Sequence, residues 1–78
     1  MQLLYIYDLK SKNKKEFNRL KRVFYYHLHH FDKSKLVFRT KSVLIVQEKH
    51  ELLFDDFFKR FKGNIEVYKV RAESIEEL

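Results

Sequence analysis

The chain has 78 residues, 45% of them hydrophobic and 36% charged, carries a formal net charge of +6, and contains no cysteine. That length holds one domain spanning residues 1–78, and the missing thiols exclude a disulfide framework, thiol catalysis and cysteine-type zinc sites. No basic residues precede the first apolar run, and no segment nears the ~20 apolar residues a membrane helix needs, so a soluble, cytoplasmic protein with no membrane partner is expected.

The first element is Leu3–Tyr7, five consecutive apolar residues rich in aromatic and β-favouring types, which predicts a central strand apolar on both faces. Asp8 closes it, and every charge from there to Arg22 is positive except Glu16. Residues 9–13 form a polar connection in which Ser11 or Asn13 caps the next helix. From Lys14 to about His30, apolar residues at 17, 20, 24, 28 and 31 give the spacing of an amphipathic helix. At ~100° per residue, Lys15, Arg19, Arg22 and Tyr26 share its outer face.

A loop over 31–35 leads to two strands, 36–40 and 42–47, joined through Thr40-Lys41 by a tight hairpin or a bulge. Helical spacing returns from Glu48 to Lys62, where Leu53, Phe54, Phe57, Phe58 and Phe61 make an aromatic stripe. The outer face of that helix offers Asp55–Lys59 and Asp56–Arg60 as i, i+4 pairs. Gly63 suits a helix C′ position, residues 64–70 read as a fourth strand, and 71–78 form a short helical or partly ordered tail.

The order β-α-β-β-α-β predicts an α+β, ferredoxin-like fold: a four-stranded antiparallel sheet with two helices on one face. Alternation sends Leu4 and Ile6 to one side of the first strand and Leu3, Tyr5 and Tyr7 to the other. Only one side can meet the helices, so the other exposes an apolar patch, and a homodimer through sheet faces or edges is expected.

Charge is divided along the chain. Residues 1–41 hold eleven Lys/Arg against three acids, whereas residues 42–78 hold six against eight, an asymmetry that points to a polyanionic partner on one face. Lys10, Lys12, Lys14, Lys15, Arg19 and Arg22 are the candidate contacts, able to neutralise phosphates without reading sequence. The histidines at 27, 29, 30 and 50 do not make a metal cluster, because 27, 29 and 30 point to different faces of one helix; His27 reads as a core-edge residue. RNA-recognition domains share the element order, with Tyr5 of "LYIYDL" as the stacking ring. The strand that should carry further exposed aromatics, "RTKSVLIV", has none, so that platform is missing.

Taken together, "YIYDL", "FNRLKRVFYYHL", "RTKSVLIVQ" and "NIEVYKV" resemble the CRISPR-associated protein 2 family, whose members begin with an apolar strand closed by Asp and carry a Ser-Val element, here Ser42-Val43. The related virulence-associated ribonucleases are the neighbouring group. The resemblance implies an antiviral-defence homodimer that carries double-stranded DNA and bridges copies of an integrase subunit. It also implies metal-dependent endonuclease chemistry at Asp8, which would serve as catalytic residue and as ligand to Mg²⁺ or Mn²⁺. The leading expectation is a duplex-DNA-binding adaptor. The alternatives are a metal-dependent endonuclease or toxin-like ribonuclease using paired Asp8, and a ferredoxin-like protein-interaction dimer.

Overall fold

The computed structural model describes residues 1–31 and 35–78, apart from the side chain of Phe38; most of the expected 31–35 loop lies outside them. The elements are β1 (Gln2–Leu9), α1 (Lys14–His29), β2 (Leu36–Arg39), β3 (Val43–Gln47), α2 (Glu51–Lys59) and β4 (Ile65–Ala72), with a 3-10 turn over Glu48–His50 before α2. The sheet order is β2-β3-β1-β4, and β1 runs antiparallel to both neighbours. This is the expected ferredoxin-like α+β architecture.

Tyr5 and Tyr7 mark the side of the sheet that the helices cover. Leu3, Tyr5 and Tyr7 from β1 join Leu44 and Val46 from β3, Phe24 and Leu28 from α1, and Phe54, Phe57, Phe58 and Phe61 from α2 and the turn after it. The rings interlock: Tyr5 stacks on Phe58 at 5.0 Å, and Phe24 meets Phe57 at 5.1 Å and Phe61 edge-on at 5.2 Å. Each buried ring contributes roughly 1.5–3 kcal/mol relative to leaving it in water. With Tyr5 only 2% exposed, it has no free face for a nucleic-acid base.

Several element boundaries differ from the periodicity-based expectation. β1 continues to Leu9, so Asp8 lies within the strand rather than closing it. Leu9 belongs to the same side as Tyr7 and packs on the core, which carries the pairing onward. Asn13, not Ser11, caps α1: its Oδ1 accepts from the Glu16 N–H at 2.8 Å. The β2–β3 join is a tight turn, with Thr40 N–H donating to the Val43 carbonyl at 2.8 Å.

The second helix is shorter than Glu48–Lys62. After Lys59 it unwinds through i→i+3 bonds to Gly63, whose φ of +92° is a left-handed value that glycine adopts without strain. β4 extends to Ala72, leaving a tail of 73–78 rather than 71–78. Leu53 is 38% exposed and lies outside the buried aromatic cluster. Asp55 does not pair with Lys59. It is half-buried, and it turns instead toward Tyr5 and Lys69; nor does Asp56 pair with Arg60 among the described residues.

The open side of the sheet carries Leu4, Ile6, Val43, Ile45, Tyr68 and Val70, brought into neighbouring rows by the registers Leu4↔Ile45, Ile6↔Val43, Leu4↔Val70 and Ile6↔Tyr68. Ile6 is 41% exposed and Tyr68 62%, but Ile45 only 8%. At the Ile45 end the tail lies alongside, where Ile75, Glu76 and Glu77 share a depression with Gln2, Val37 and Ile45, and the Ile6–Tyr68 end is the barer one. Among the described residues, no helix is long and apolar enough to cross a membrane.

Candidate nucleic-acid interface

A helix that buries one stripe must show the opposite one to solvent. In α1, Phe24 and Leu28 go inward, and Lys15, Arg19 and Arg22 line one shallow groove on the outer surface together with Asn13 and Glu16. The three cations are exposed, and none has an ion-pair partner among the described residues. Tyr26 extends the stripe with an exposed ring. Lys14 opens the helix and Lys12 lies in the connection before it, both exposed at the same end as the positive pole of the helix dipole. Glu16 is the one carboxylate in the groove, and its Oε2 accepts from Ser11 Oγ at 3.5 Å.

Between β4 and α2, by contrast, charges pair with one another. Lys69 pairs with Glu51 and with Asp55 at 2.9 Å, and Arg71 pairs with Glu51 and, at 4.0 Å, with Glu48. These contacts fasten β4 to α2. Hydrogen bonds from Arg71 and Lys69 hold the Glu51 carboxyl below its usual range, and the Glu51 contact lifts both cations above theirs. Two of the six cations in the second half, Lys69 and Arg71, are thus held by its carboxylates, while Lys15, Arg19 and Arg22 of α1 face solvent.

Lys10 stands apart from the other candidates. Its Nζ lies 2.7 Å from Glu66 Oε2, and the Tyr68 hydroxyl donates to Glu66 Oε1 at 2.7 Å. The hydrogen bond from Lys10 lowers the Glu66 pKa, and the same contact raises that of Lys10. The Glu66 carboxylate offsets the Lys10 charge, so Lys10 attracts a phosphate less than Lys15, Arg19 and Arg22 do.

Asp8 is on the open side of the sheet, exposed, and directly across from Glu66 in the β1–β4 register. Sequence reasoning missed this second carboxylate, because the pairing joins residues 58 positions apart and follows only from the strand order. Two carboxylates side by side invite a divalent cation. The Lys10 ammonium already sits against Glu66, however, and among the described residues no three metal-ligating side chains converge. Within one chain these residues do not fit Mg²⁺. The histidines do not converge either: His27 is exposed, with its ring 6.5 Å from that of Phe61, and His30 Nδ1 lies 2.6 Å from the Tyr26 carbonyl.

A comparison of the chain with protein-family models, curated proteins and solved structures finds no match.

Proposed function

We propose that the chain binds the phosphate backbone of duplex DNA through the outer face of α1, without reading sequence, and serves as a dimeric adaptor rather than as a catalyst. The observation that carries this reading is the partition of charge. Glu48, Glu51 and Asp55 are engaged by Lys69 and Arg71, while the Lys15–Arg19–Arg22 stripe faces solvent with Glu16 as the only acid in the groove among the described residues. From Lys15 to Arg22 the helix rises ~10 Å, which matches about three nucleotides of one strand at ~3.4 Å each. Lysine and arginine at that spacing supply point charges and forked donors to phosphate oxygens, contacts that position a duplex without reading its sequence.

A second copy of the chain is the occupant we assign to the bare part of the open sheet face. Ile6, Val70 and Tyr68 would otherwise leave a contiguous apolar patch in water, and a symmetric pair buries the same patch on both subunits.

The experiment is a titration of a mixed-sequence duplex at several salt concentrations. Binding should weaken with a slope of about −0.9 in log K against log salt for each phosphate neutralised, and should be alike for unrelated sequences. Affinity that ignores salt, or that is absent at low salt, refutes the reading.

A further inference from the structure

We propose that the turn between β2 and β3 forms a second wall of this phosphate-binding surface, and that the Tyr7 and Tyr25 phenols hold it in position. The inference rests on the reading of α1 given above and extends it to residues of the sheet.

Every carbonyl of the turn is occupied from within. The Thr40 oxygen accepts from the Tyr7 hydroxyl at 3.3 Å, and the Lys41 oxygen from the Tyr25 hydroxyl at 2.9 Å. The Ser42 oxygen accepts from the Tyr7 N–H at 2.9 Å, and the Val43 oxygen from the Thr40 N–H at 2.8 Å. Thr40 Oγ1 also accepts from the Ser42 and Val43 N–H groups, at 3.3 and 3.0 Å. Carbonyl oxygens carry the negative end of the peptide dipole, and an ordinary surface turn shows some of them to an approaching anion. Here all four accept a hydrogen bond from the chain itself. The turn shows solvent the exposed side chains of Arg39, Lys41 and Ser42 instead. Neither cation has an ion-pair partner among the described residues.

The Tyr25 bond also decides where Lys41 stands. Tyr25 belongs to α1, and Lys21 and Arg22 lie at i−4 and i−3 from it, on the same flank of the helix. Arg22 in turn belongs to the groove with Lys15 and Arg19. By binding the Lys41 carbonyl, the Tyr25 hydroxyl ties the turn to that flank, so positive charge continues from the helix onto the sheet. A phenylalanine at 25 would fill the same space and hold nothing. The arrangement suits an extended polyanion, which meets successive cations along its length; a compact anion would need only one of them.

The test uses the full chain and a mixed-sequence DNA duplex, read by fluorescence anisotropy. Lys41→Ala should weaken binding about fivefold near 0.1 M salt and reduce the salt slope by about 0.9, the loss of one phosphate contact. Arg39→Ala should act alike. Tyr25→Phe should weaken binding by about two- to fivefold, and the double variant Tyr25→Phe/Lys41→Ala should bind no worse than Lys41→Ala, because the hydroxyl acts through the lysine. If the two losses simply multiply, Tyr25 has only a structural role and the positioning claim falls. If Arg39→Ala and Lys41→Ala bind like the wild type while reversal of Lys15, Arg19 and Arg22 abolishes binding, the turn is no part of the surface and the α1 reading stands. A wild-type chain that does not retain the duplex removes both.

Discussion

The Tyr5 hydroxyl donates a 2.7 Å hydrogen bond to Asp55 Oδ1, joining the central strand to the second helix beneath the Lys69 ammonium. Burial, followed by the bond to Asp55, pushes the Tyr5 pKa well above its ordinary value of 10.0, and burial with the neighbouring Tyr25 does the same to Tyr7. The folded state therefore holds both phenolic protons more tightly than the unfolded chain does. Their contribution is fully present below about pH 10 and is lost as pH rises beyond it toward the folded-state values. Denaturant unfolding followed from pH 7 to 11.5 should show stability falling above pH 10. Tyr5→Phe should lower stability at pH 7 by about 1 kcal/mol, through loss of the hydrogen bond, and make the alkaline fall shallower. An equally steep fall in that variant would mean that Tyr5 is not a source of it.

Reversing the α1 stripe tests the nucleic-acid surface directly. The variant Lys15→Glu/Arg19→Glu/Arg22→Glu should lose duplex binding by at least a hundredfold near 0.1 M salt, on every sequence alike, since about three phosphate contacts become repulsions. Its thermal midpoint should move little, because these side chains are exposed and have no ion-pair partner among the described residues. Unchanged affinity would assign the stripe another purpose.

The bare end of the open face predicts a dimer. Sedimentation or light scattering at micromolar concentration should report about twice the 9.7 kDa chain mass. Ile6→Glu should shift the population to monomer without unfolding it, because Ile6 lies outside the helix-covered core. Tyr5→Glu should unfold the chain instead. A wild-type particle of one chain mass at high concentration contradicts the assignment.

Asp8→Asn should leave duplex binding intact or strengthen it up to about twofold, since one exposed negative charge is removed from beside Glu66 and Lys10. Purified wild-type protein with Mg²⁺ or Mn²⁺ should cleave neither DNA nor RNA at a rate that this substitution changes. A cleavage activity lost on Asp8→Asn would restore the catalytic role that the resemblance implies.

What the sequence made legible was governed by local periodicity. The apolar spacing of Phe17, Leu20, Phe24 and Leu28 predicts α1, and through it the outer stripe of Lys15, Arg19 and Arg22, because a helix converts sequence spacing directly into facing. Strand alternation separates Leu3, Tyr5 and Tyr7 from Leu4 and Ile6 by the same kind of rule. Neither rule reaches across the sheet. That Asp8 faces Glu66, that Asp55 leaves Lys59 for Tyr5 and Lys69, and that Tyr25 grips the turn at Lys41 all depend on which strands are neighbours and in what register. The pairing of Asp55 is instructive. An exposed i, i+4 pair contributes only ~0.3–0.5 kcal/mol, whereas the cross-element site offers a phenol donor and a half-buried ammonium at once, so the longer connection wins. The end of β1 escapes local reading for a similar reason. Asp8 is a poor strand former when read alone, yet pairing with β4 continues through it to Leu9.

The strand order also sets a schedule for synthesis. β1 leaves the ribosome first, but its two hydrogen-bonded neighbours are β3 and β4, and β4 is the last element of the sheet. Until residues 65–72 have emerged, one whole edge of β1 is without its partner. Leu3, Tyr5 and Tyr7 also wait for the rings of α2 that cover them. Between the synthesis of β1 and that of β4 the chain thus carries a sticky, aromatic-rich strand without its partners, and the sheet closes in a late step. Chains halted before residue 65 should be substrates for chaperones and proteases rather than partly folded intermediates.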